Sequence, residues 1–203
     1  TKLEALKDNA IAHLSFYSFT STAPFEFQQA ASKILATSGY KGVILDLRNN
    51  PGGFLEVSVD IAGWFLNAGD LVAIEDFGKA GAKTEFRTSG VAALKNYPMV
   101  ILVNQGTASA AEILAGALRD NRSVKLIGEK TFGKGSVQEL VNFKDGSSLK
   151  VTVAKWLTPK GISISEHGLE PDYKVTFTEK DLEQKKDPQL DKAVEILSGL
   201  IKN

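Results

Sequence analysis

The stretch GVILDLRNNPGG, residues 42–53, joins a continuous run of branched apolar residues to a loop of asparagine, proline and glycine. A run that is apolar at nearly every position is what a strand buried on both faces requires, and such strands belong to parallel sheets covered by helices. A second run of the same kind, MVILVN, occupies residues 99–104. Together the two runs predict an α/β fold with a parallel core.

The segments around these runs alternate between strand and helix patterns until short strands take over. Further strands are predicted at 11–18, 71–77, 124–128, 136–143, 148–157 and 172–177, a surface hairpin at 78–88, and helices at 24–38, 55–66, 110–120 and 178–203. The last helix has a T-x-x-D start signal. This order predicts one domain over residues 1–203, with a mixed, partly parallel sheet to which antiparallel strands are added.

Composition excludes several classes of function. The 203 residues hold 24 basic and 24 acidic side chains, so the formal net charge is zero and no electrostatic attraction to nucleic acid is expected. The absence of cysteine excludes disulfides, thiolate catalysis and cysteine-ligated metals. No apolar run is long enough for a transmembrane segment, and neither a signal peptide nor an initiator Met is present, so the chain is expected to be part of a longer protein.

Ser109 is the candidate nucleophile. It stands just before the helix predicted at 110–120, where SAAE, residues 109–112, matches the capping-box pattern in which Ser109 and Glu112 satisfy each other's backbone N–H groups. A capping role alone would explain a serine at this position. The N-terminus of a helix also stabilises an anion formed beside it, so capping and catalysis are compatible.

Lys134 is the candidate base, in the glycine-rich segment GEKTFGKG at 128–135. A serine hydroxyl reacts only after a base takes its proton, and a lysine is such a base only when burial removes its charge. One alternative is a solvated surface lysine. Another is a phosphate-binding loop, but Gly135 stands where that motif needs a hydroxyl, and a strand is predicted to follow. An extended chain from Lys134 would place Gln138 on the same face, where its amide could orient the amine.

The loop RNNPGG, residues 48–53, is predicted to be a turn from a strand to a helix, in which Pro51 restricts the chain and the glycines permit positive φ. Glycines also leave their N–H groups accessible, and α/β sheets place ligands at the carboxyl ends of their strands. Gly52 or Gly53, together with the N–H of Ala110, is therefore a candidate to hold a developing oxyanion.

Other catalytic systems fit the sequence less well. His13 and His167 belong to no nucleophile motif, and G-x-S-x-G is absent. The S-x-x-K matches at Ser38 and Ser147 lack their companion motifs and open no helix. No metal-ligand spacing such as H-E-x-x-H occurs, so no metal and no other cofactor is expected.

Four motifs together resemble one known family. DLRNNPGG, VNQGTASAAE, GEKTFGKGSVQ and LTPKGISISEHGLEPD have the order and spacing of the C-terminal processing peptidases, also called tail-specific proteases. The resemblance extends over residues 11–197 and implies a crotonase-like (ClpP/crotonase) α/β fold. It also implies a serine–lysine mechanism with Ser109 as nucleophile, Lys134 as base and Gln138 as its support. The implied oxyanion hole is Gly52 or Gly53 with Ala110.

The resemblance further implies polypeptide substrates with unstructured, apolar carboxyl termini and an extracytoplasmic location, such as a periplasm, the cell exterior or a thylakoid lumen. The sequence departs from the family at two points. Ala111 replaces a second serine of many members, which is not their nucleophile, and residues 1–10 are too few for the PDZ domain that usually precedes the core.

An alternative of another class is a catalytically silent relative that binds or scaffolds peptides. The joint presence of Ser109, Lys134 and Gln138 argues against it. The sequence leaves the oligomeric state open.

Overall fold

Strands and helices follow one another largely in the predicted order. The computed structural model describes residues 1–7, 10–165 and 167–201, within which the chain forms ten strands and five α-helices. The strands are β1 (Lys2–Leu6), β2 (Ile11–Ser15), β3 (Gly42–Asp46), β4 (Leu71–Asp76), β5 (Lys83–Arg87), β6 (Met99–Val103), β7 (Lys125–Gly128), β8 (Ser136–Asn142), β9 (Ser148–Leu157) and β10 (Tyr173–Lys174). The helices are α1 (Ala23–Ala36), α2 (Leu55–Ala62), α3 (Ala110–Arg122), α4 (Glu179–Glu183) and α5 (Pro188–Ile201).

Six strands form the main sheet, in the order β1-β2-β3-β6-β7-β10. Neighbouring strands are parallel except β1 and β2, which pair antiparallel. The register places Ile44 of β3 opposite Val100 of β6, and both strands are buried at every position. The prediction of a parallel α/β core is confirmed.

The side chains of β3 alternate between two apolar layers. Val43 and Leu45 belong to the larger cluster, which contains buried residues of α1, α2 and α3. Ile44, between them, belongs to a second cluster with Ala193 and Leu197 of α5. Because each face of the strand meets a layer of helices, an apolar residue is required at every successive position.

A second, antiparallel sheet has the strand order β5-β4-β9-β8. β4 and β5 form the predicted surface hairpin around a short 3-10 turn at Gly78–Ala80. Phe86 of β5 packs edge-to-face on Trp156 of β9, with 5.5 Å between the ring centroids. β8 and β9 form a longer hairpin whose residues 138–152 are exposed. These are the antiparallel strands that the sequence adds to the parallel core.

The structure differs from the prediction at both ends of the chain. The sequence does not predict β1, which has no fully buried residue and forms by pairing with β2. The strand predicted at 172–177 is reduced to the two residues of β10. The helix predicted at 178–203 is two helices, because Pro188 cannot continue the first and instead begins α5. Residues 202 and 203 of that prediction lie outside the described residues.

A buried ion-pair network holds the start of α5 against the carboxyl end of β3. Arg48 contacts Asp46 at 2.7 Å and Asp187 at 2.9 Å, and it donates a hydrogen bond to Gln189 at 3.1 Å. His13, which belongs to no nucleophile motif, hydrogen-bonds to Asp46 at 3.1 Å. Burial alone would raise the pKa of Asp46, but the hydrogen bonds from His13 and Arg48 outweigh burial and hold this pKa below its usual value.

We expect Asp46→Asn to lower the free energy of unfolding by about 3 kcal/mol near neutral pH, because Arg48 would lose a buried charged partner. Since folding lowers the pKa of Asp46, its contribution is complete above the unfolded-state value of about 3.9 and is lost as the pH falls below it. Denaturant unfolding at a series of pH values measures both effects. Asp76→Asn is the control, because Asp76 forms a surface pair with Lys83. Equal losses of stability in the two variants would contradict the prediction.

Candidate active site

Ser109 lies between β6 and α3 in a backbone conformation that is rare for a residue with a side chain. Its φ is 56° and its ψ is −122°. Such conformations cost on the order of 1–3 kcal/mol and persist only where surrounding contacts enforce them. Thr107 provides such contacts, because its buried hydroxyl donates to the Leu47 carbonyl at 2.8 Å and accepts from the Asn104 N–H at 3.0 Å. The loop that bears Ser109 is therefore fixed to the end of β3.

A pair of asparagines ties together the loops that follow β3 and β6. The side-chain oxygen of Asn104 accepts from the N–H of Asn49 at 2.8 Å, and the Asn104 amide donates to the side-chain oxygen of Asn49 at 3.0 Å. Gly106 packs so closely on Asn49 that an added Cβ would lie 2.8 Å from the Asn49 Cα. The candidate residues of these loops thus meet at the carboxyl edge of neighbouring parallel strands, where the sequence places them.

Ser109 and Glu112 have the arrangement of a capping box, but the box does not consume the Ser109 hydroxyl. The Glu112 carboxylate accepts from the N–H of Ser109 at 2.9 Å, and the Ser109 side chain in turn faces the backbone N–H of Glu112, a contact that uses a lone pair of the hydroxyl and leaves its proton in place. The proton of the hydroxyl is consequently available, and the cap holds the backbone of the candidate nucleophile.

Glu112 also binds the loop that contains Lys134. Its fully buried carboxylate accepts from the Thr131 hydroxyl at 2.5 Å, from the Gly133 N–H at 2.7 Å and from the Lys134 N–H at 2.9 Å. One oxygen of Glu112 receives the N–H groups of both Ser109 and Lys134. Sequence analysis assigned Glu112 only a capping role. The sequence does contain a signal for a wider role of Glu112, because this carboxylate is the one polar side chain in the otherwise apolar stretch AAEILAGAL, residues 110–118.

Lys134 has its backbone held to the core and its side chain exposed. Its amine forms neither a hydrogen bond nor an ion pair within the described part of the chain. Glu112 anchors the loop through N–H groups and leaves the Lys134 side chain outside, so the fold alone does not provide the burial that a lysine base requires. Gln138 is likewise exposed, in β8. The loop is followed directly by the strand β8, whereas a phosphate-binding loop would be followed by a helix whose N-terminus holds the phosphate.

The turn at Gly52 lies against Ser109, the candidate nucleophile. A Cβ added to Gly52 would lie 2.8 Å from the Cβ of Ser109 and 2.9 Å from the backbone nitrogen of Ala110. The φ of 93° at Gly52 would also strain any residue with a side chain. Glycine is therefore required here for two independent reasons, one steric and one conformational.

Gly52 and Gly53 differ in the state of their N–H groups. The side-chain oxygen of Asn50, a fully buried residue that sequence analysis did not single out, accepts from the Gly52 N–H at 2.9 Å. The Gly52 carbonyl accepts from Phe19 at 2.9 Å, and because the peptide bond is trans, the Gly53 N–H points away from Phe19. Within residues 1–7, 10–165 and 167–201, the N–H groups of Gly53 and Ala110 have no acceptor. Gly53 is also exposed, whereas Gly52 is buried.

Other groups considered in the sequence lie apart from this site. His13 belongs to the ion-pair network around Arg48, and Ser147 lies in the turn of the β8–β9 hairpin, where it donates to Asp145 at 2.6 Å. Among the residues described, no three His, Asp or Glu side chains are grouped so that they could hold a metal ion. None of the helices described is both long and apolar enough to cross a membrane.

Comparison with known proteins gives one consistent result. The model of peptidase family S41 matches residues 10–175. The carboxyl-terminal-processing protease of Synechocystis sp. (strain ATCC 27184 / PCC 6803 / Kazusa) is 41% identical over 195 residues, which are 94% of this chain and 44% of that protein. The carboxy-terminal processing protease CtpA of Bacillus subtilis (strain 168) is 42% identical over 174 residues, 86% of this chain and 37% of that protein. The chloroplastic C-terminal processing peptidase of Tetradesmus obliquus is 40% identical over 162 residues, 80% and 34% of the two chains.

Solved structures agree with the sequence relatives. The photosystem II D1 C-terminal processing protease has a TM-score of 0.75 and 36% identity, over 85% of this chain and 45% of that chain. The tricorn protease, at a TM-score of 0.66 and 21% identity over 97% of this chain and 18% of that chain, supports the fold alone. The fold class expected from the sequence, a crotonase-like α/β core, is confirmed. The chain spans less than half the length of the curated relatives named above.

We expect Glu112→Gln to lower both the stability of the fold and the reactivity of Ser109. In the wild-type protein four hydrogen-bond donors share the two carboxylate oxygens of Glu112. A glutamine amide has only one acceptor oxygen, and each buried donor left unpaired costs about 1–3 kcal/mol. Thermal unfolding and the rate of Ser109 labelling by a fluorophosphonate probe measure the two effects. The control is Glu56→Gln, an exposed glutamate in the first turn of α2. Labelling of the Glu112 variant at the wild-type rate would refute the positioning role.

Gly52→Ala should abolish labelling of Ser109 by the same probe. The added methyl group would collide with the nucleophile segment as well as strain the backbone. Gly69→Ala is a matched control, because Gly69 has a similar φ of 88° but no atom within 4 Å of an added Cβ. The Gly69→Ala variant therefore has the strain of a side chain at positive φ, of order 1 kcal/mol, but no steric collision of the added methyl group. If both variants label equally well, the close packing of Gly52 on Ser109 is not required.

Proposed function

The chain belongs to peptidase family S41, and we propose that it is a serine endopeptidase that cleaves polypeptides near their carboxyl termini. The observation that carries this proposal is the sharing of one Glu112 oxygen by the N–H groups of Ser109 and Lys134. It brings the backbones of two residues that are 25 positions apart in the sequence next to each other. The names of the relatives from Synechocystis and Bacillus subtilis support the class of substrate.

In the proposed mechanism Ser109 attacks the scissile carbonyl while Lys134 accepts the proton of its hydroxyl. Lys134 then delivers a proton to the leaving amine, and Gln138 orients the amine of Lys134. The N–H groups of Ala110 and Gly53 hold the oxyanion. We favour Gly53 over Gly52 as the second donor, because the N–H of Gly52 already donates to Asn50.

A neutral lysine base requires exclusion of water, and the exposed position of Lys134 indicates that the substrate itself provides it. Two exposed aromatic side chains support this step: Phe132, 66% exposed, precedes Lys134 by two residues, and Phe54, 58% exposed, follows Gly53. Both offer exposed apolar surface on the two loops that contain Lys134 and Gly53. An apolar polypeptide segment bound there would cover the amine and displace water from it.

The proposed substrates are therefore polypeptides with unstructured, apolar carboxyl termini. An extracytoplasmic location is proposed with them. It is supported by the name of the Tetradesmus obliquus relative, which is chloroplastic, and by that of the photosystem II D1 processing protease.

The second candidate is a catalytically silent relative that binds peptides without cleaving them. The observation that favours it is the exposed side chain of Lys134, whose amine has no partner among the residues that the structure describes. A serine whose hydroxyl is never activated would resist a fluorophosphonate probe in the presence of peptide as well as in its absence. Probe labelling of Ser109 therefore separates the two candidates.

Ser109→Ala should abolish cleavage of a peptide with an apolar carboxyl terminus, because it removes the nucleophile and leaves the Glu112 contact to the backbone N–H intact. Lys134→Arg should be as inactive as Lys134→Ala, because a guanidinium keeps its proton and cannot act as a base. We expect residual rates at least about a thousandfold below wild type. The measurement is peptide turnover, with thermal unfolding to verify the fold.

The control is Lys130→Arg in the same loop, where Lys130 forms an exposed pair with Glu170 at 3.4 Å. This variant should keep the wild-type rate. A Lys134→Arg variant that retains most of the activity would show that Lys134 supplies charge rather than basicity, and an active Ser109→Ala variant would end the assignment of the nucleophile.

A further inference from the structure

Ser165 has a buried hydroxyl for which the fold supplies no partner. Its side chain belongs to a residue that is only 6% exposed. Among the residues that the structure describes, its hydroxyl oxygen is the one buried side-chain nitrogen or oxygen without a hydrogen-bond partner. A buried polar group that is left unpaired destabilises a fold, so native proteins contain few of them. The place of Ser165 in the fold is therefore informative about its role.

Ser165 lies against Gly135, the residue that follows the proposed base. A Cβ added to Gly135 would lie 2.3 Å from the backbone nitrogen of Ser165 and 2.7 Å from the carbonyl carbon of Ile164. Both distances are too short for a real Cβ, and Gly135 is not among the glycines with positive φ. The glycine after Lys134 is thus required for the close approach of Ser165 and not for a turn.

Hydrogen bonds fix this contact at both ends of the loop 131–135. The N–H of Trp156, in β9, donates to the Gly135 carbonyl at 2.6 Å, and the Trp156 carbonyl accepts from the N–H of Ile164 at 3.1 Å. At the other end, the N–H of Leu169 donates to the Thr131 hydroxyl at 2.6 Å, and the Leu169 carbonyl accepts from the Thr131 N–H at 3.1 Å. The loop that contains the proposed base is therefore held against the residues on either side of Ser165.

The Lys134 amine and the Ser165 hydroxyl are complementary groups that both lack a partner among the described residues. The amine is exposed and can only donate hydrogen bonds while it is charged, whereas the hydroxyl is buried and has two lone pairs that accept them. Lys134 is bonded to Gly135, which touches Ser165, and its amine is carried on a flexible four-carbon side chain. Catalytic hydrogen bonds that are incomplete in a free enzyme often form only in the substrate complex.

We propose that Ser165 is a positioning residue whose hydroxyl accepts a hydrogen bond from the Lys134 amine when this amine turns from solvent toward Ser109. The inference rests on the function proposed above and deepens it. A neutral amine that donates one N–H to Ser165 and the other to Gln138 directs its lone pair to the hydroxyl proton of Ser109. The unpaired hydroxyl of the free protein thus gains its partner only in the catalytic conformation.

The first test compares Ser165→Ala with Ser163→Ala, the same chemical change at a partly buried position two residues earlier. Because Ser165 acts on the base and not on the substrate, its loss should lower kcat for a peptide with an apolar carboxyl terminus about tenfold to a hundredfold and leave KM within about twofold. Ser163→Ala should keep both constants. Steady-state peptide turnover gives the two values, and an unchanged kcat in Ser165→Ala would overturn the proposal.

Thermal unfolding separates this role from a structural one. Ser165→Ala removes a destabilising unpaired group, so it should unfold at the wild-type temperature or above it. A variant that loses stability together with activity would indicate a hydroxyl that supports the fold, for example through a buried water, and would also overturn the proposal. If the alanine variant does not fold, Ser165→Cys keeps a side chain of similar size with a much weaker acceptor, and kcat should fall in the same direction.

A double-mutant cycle shows whether Ser165 acts through Lys134. In the Lys134→Ala variant the amine that Ser165 positions is already absent, so adding Ser165→Ala should not lower the residual kcat further. A loss of the same size in the presence and in the absence of the amine would show that Ser165 acts on another group, which contradicts the proposal.

The outcomes are distinguishable from those of the proposed function. Wild-type protein that cleaves peptides, beside a Ser165→Ala variant with the same kcat, would remove the role of Ser165 alone. Wild-type protein that neither cleaves peptides nor reacts at Ser109 with a fluorophosphonate probe would remove the peptidase assignment, and the positioning role of Ser165 would fail with it.

Discussion

The carboxylate of Glu112 is the group through which both proposed reacting residues are held. Its burial would be costly if any of its lone pairs lacked a donor, and the site meets this demand with four donors, three of them backbone N–H groups. Two of those N–H groups belong to Ser109 and Lys134. The hydrogen-bonding demand of one buried carboxylate thus brings the backbones of the proposed nucleophile and the proposed base together, without using the Lys134 amine or the proton of the Ser109 hydroxyl.

The other half of the site depends on the carboxyl edge of the parallel sheet. β3 and β6 are neighbours, so the loops that leave them emerge side by side, and paired asparagines, Asn49 and Asn104, lock them together. Within this frame Gly52 can contact Ser109 and the Gly53 N–H can stay unpaired. The unfavourable φ of Ser109 is sustained by the same frame. Below it, the Arg48 network fixes the edge of the sheet to α5.

The chain leaves its proposed base and one sheet edge open to solvent. The amine of Lys134 is exposed, and the outward backbone groups of β8 are unpaired in the described residues. An apolar polypeptide segment bound over Lys134 would exclude water from its amine. In the proposed mechanism the fold thus preorganises the backbone of the site, and the substrate supplies the desolvation.

The sequence by itself determined the parallel core and the location of the site. The apolar runs of β3 and β6 demand burial on both faces, and the glycine and serine motifs directly after them mark the carboxyl edge, because these signals are local and need no knowledge of distant contacts. Only the tertiary structure decided that β1 forms, that Glu112 joins the two loops, that Gly53 rather than Gly52 keeps a free N–H, and that Lys134 is exposed. Each of these depends on partners far away in the chain. A residue pattern cannot show which hydrogen bonds are already made or which side chains are left without cover.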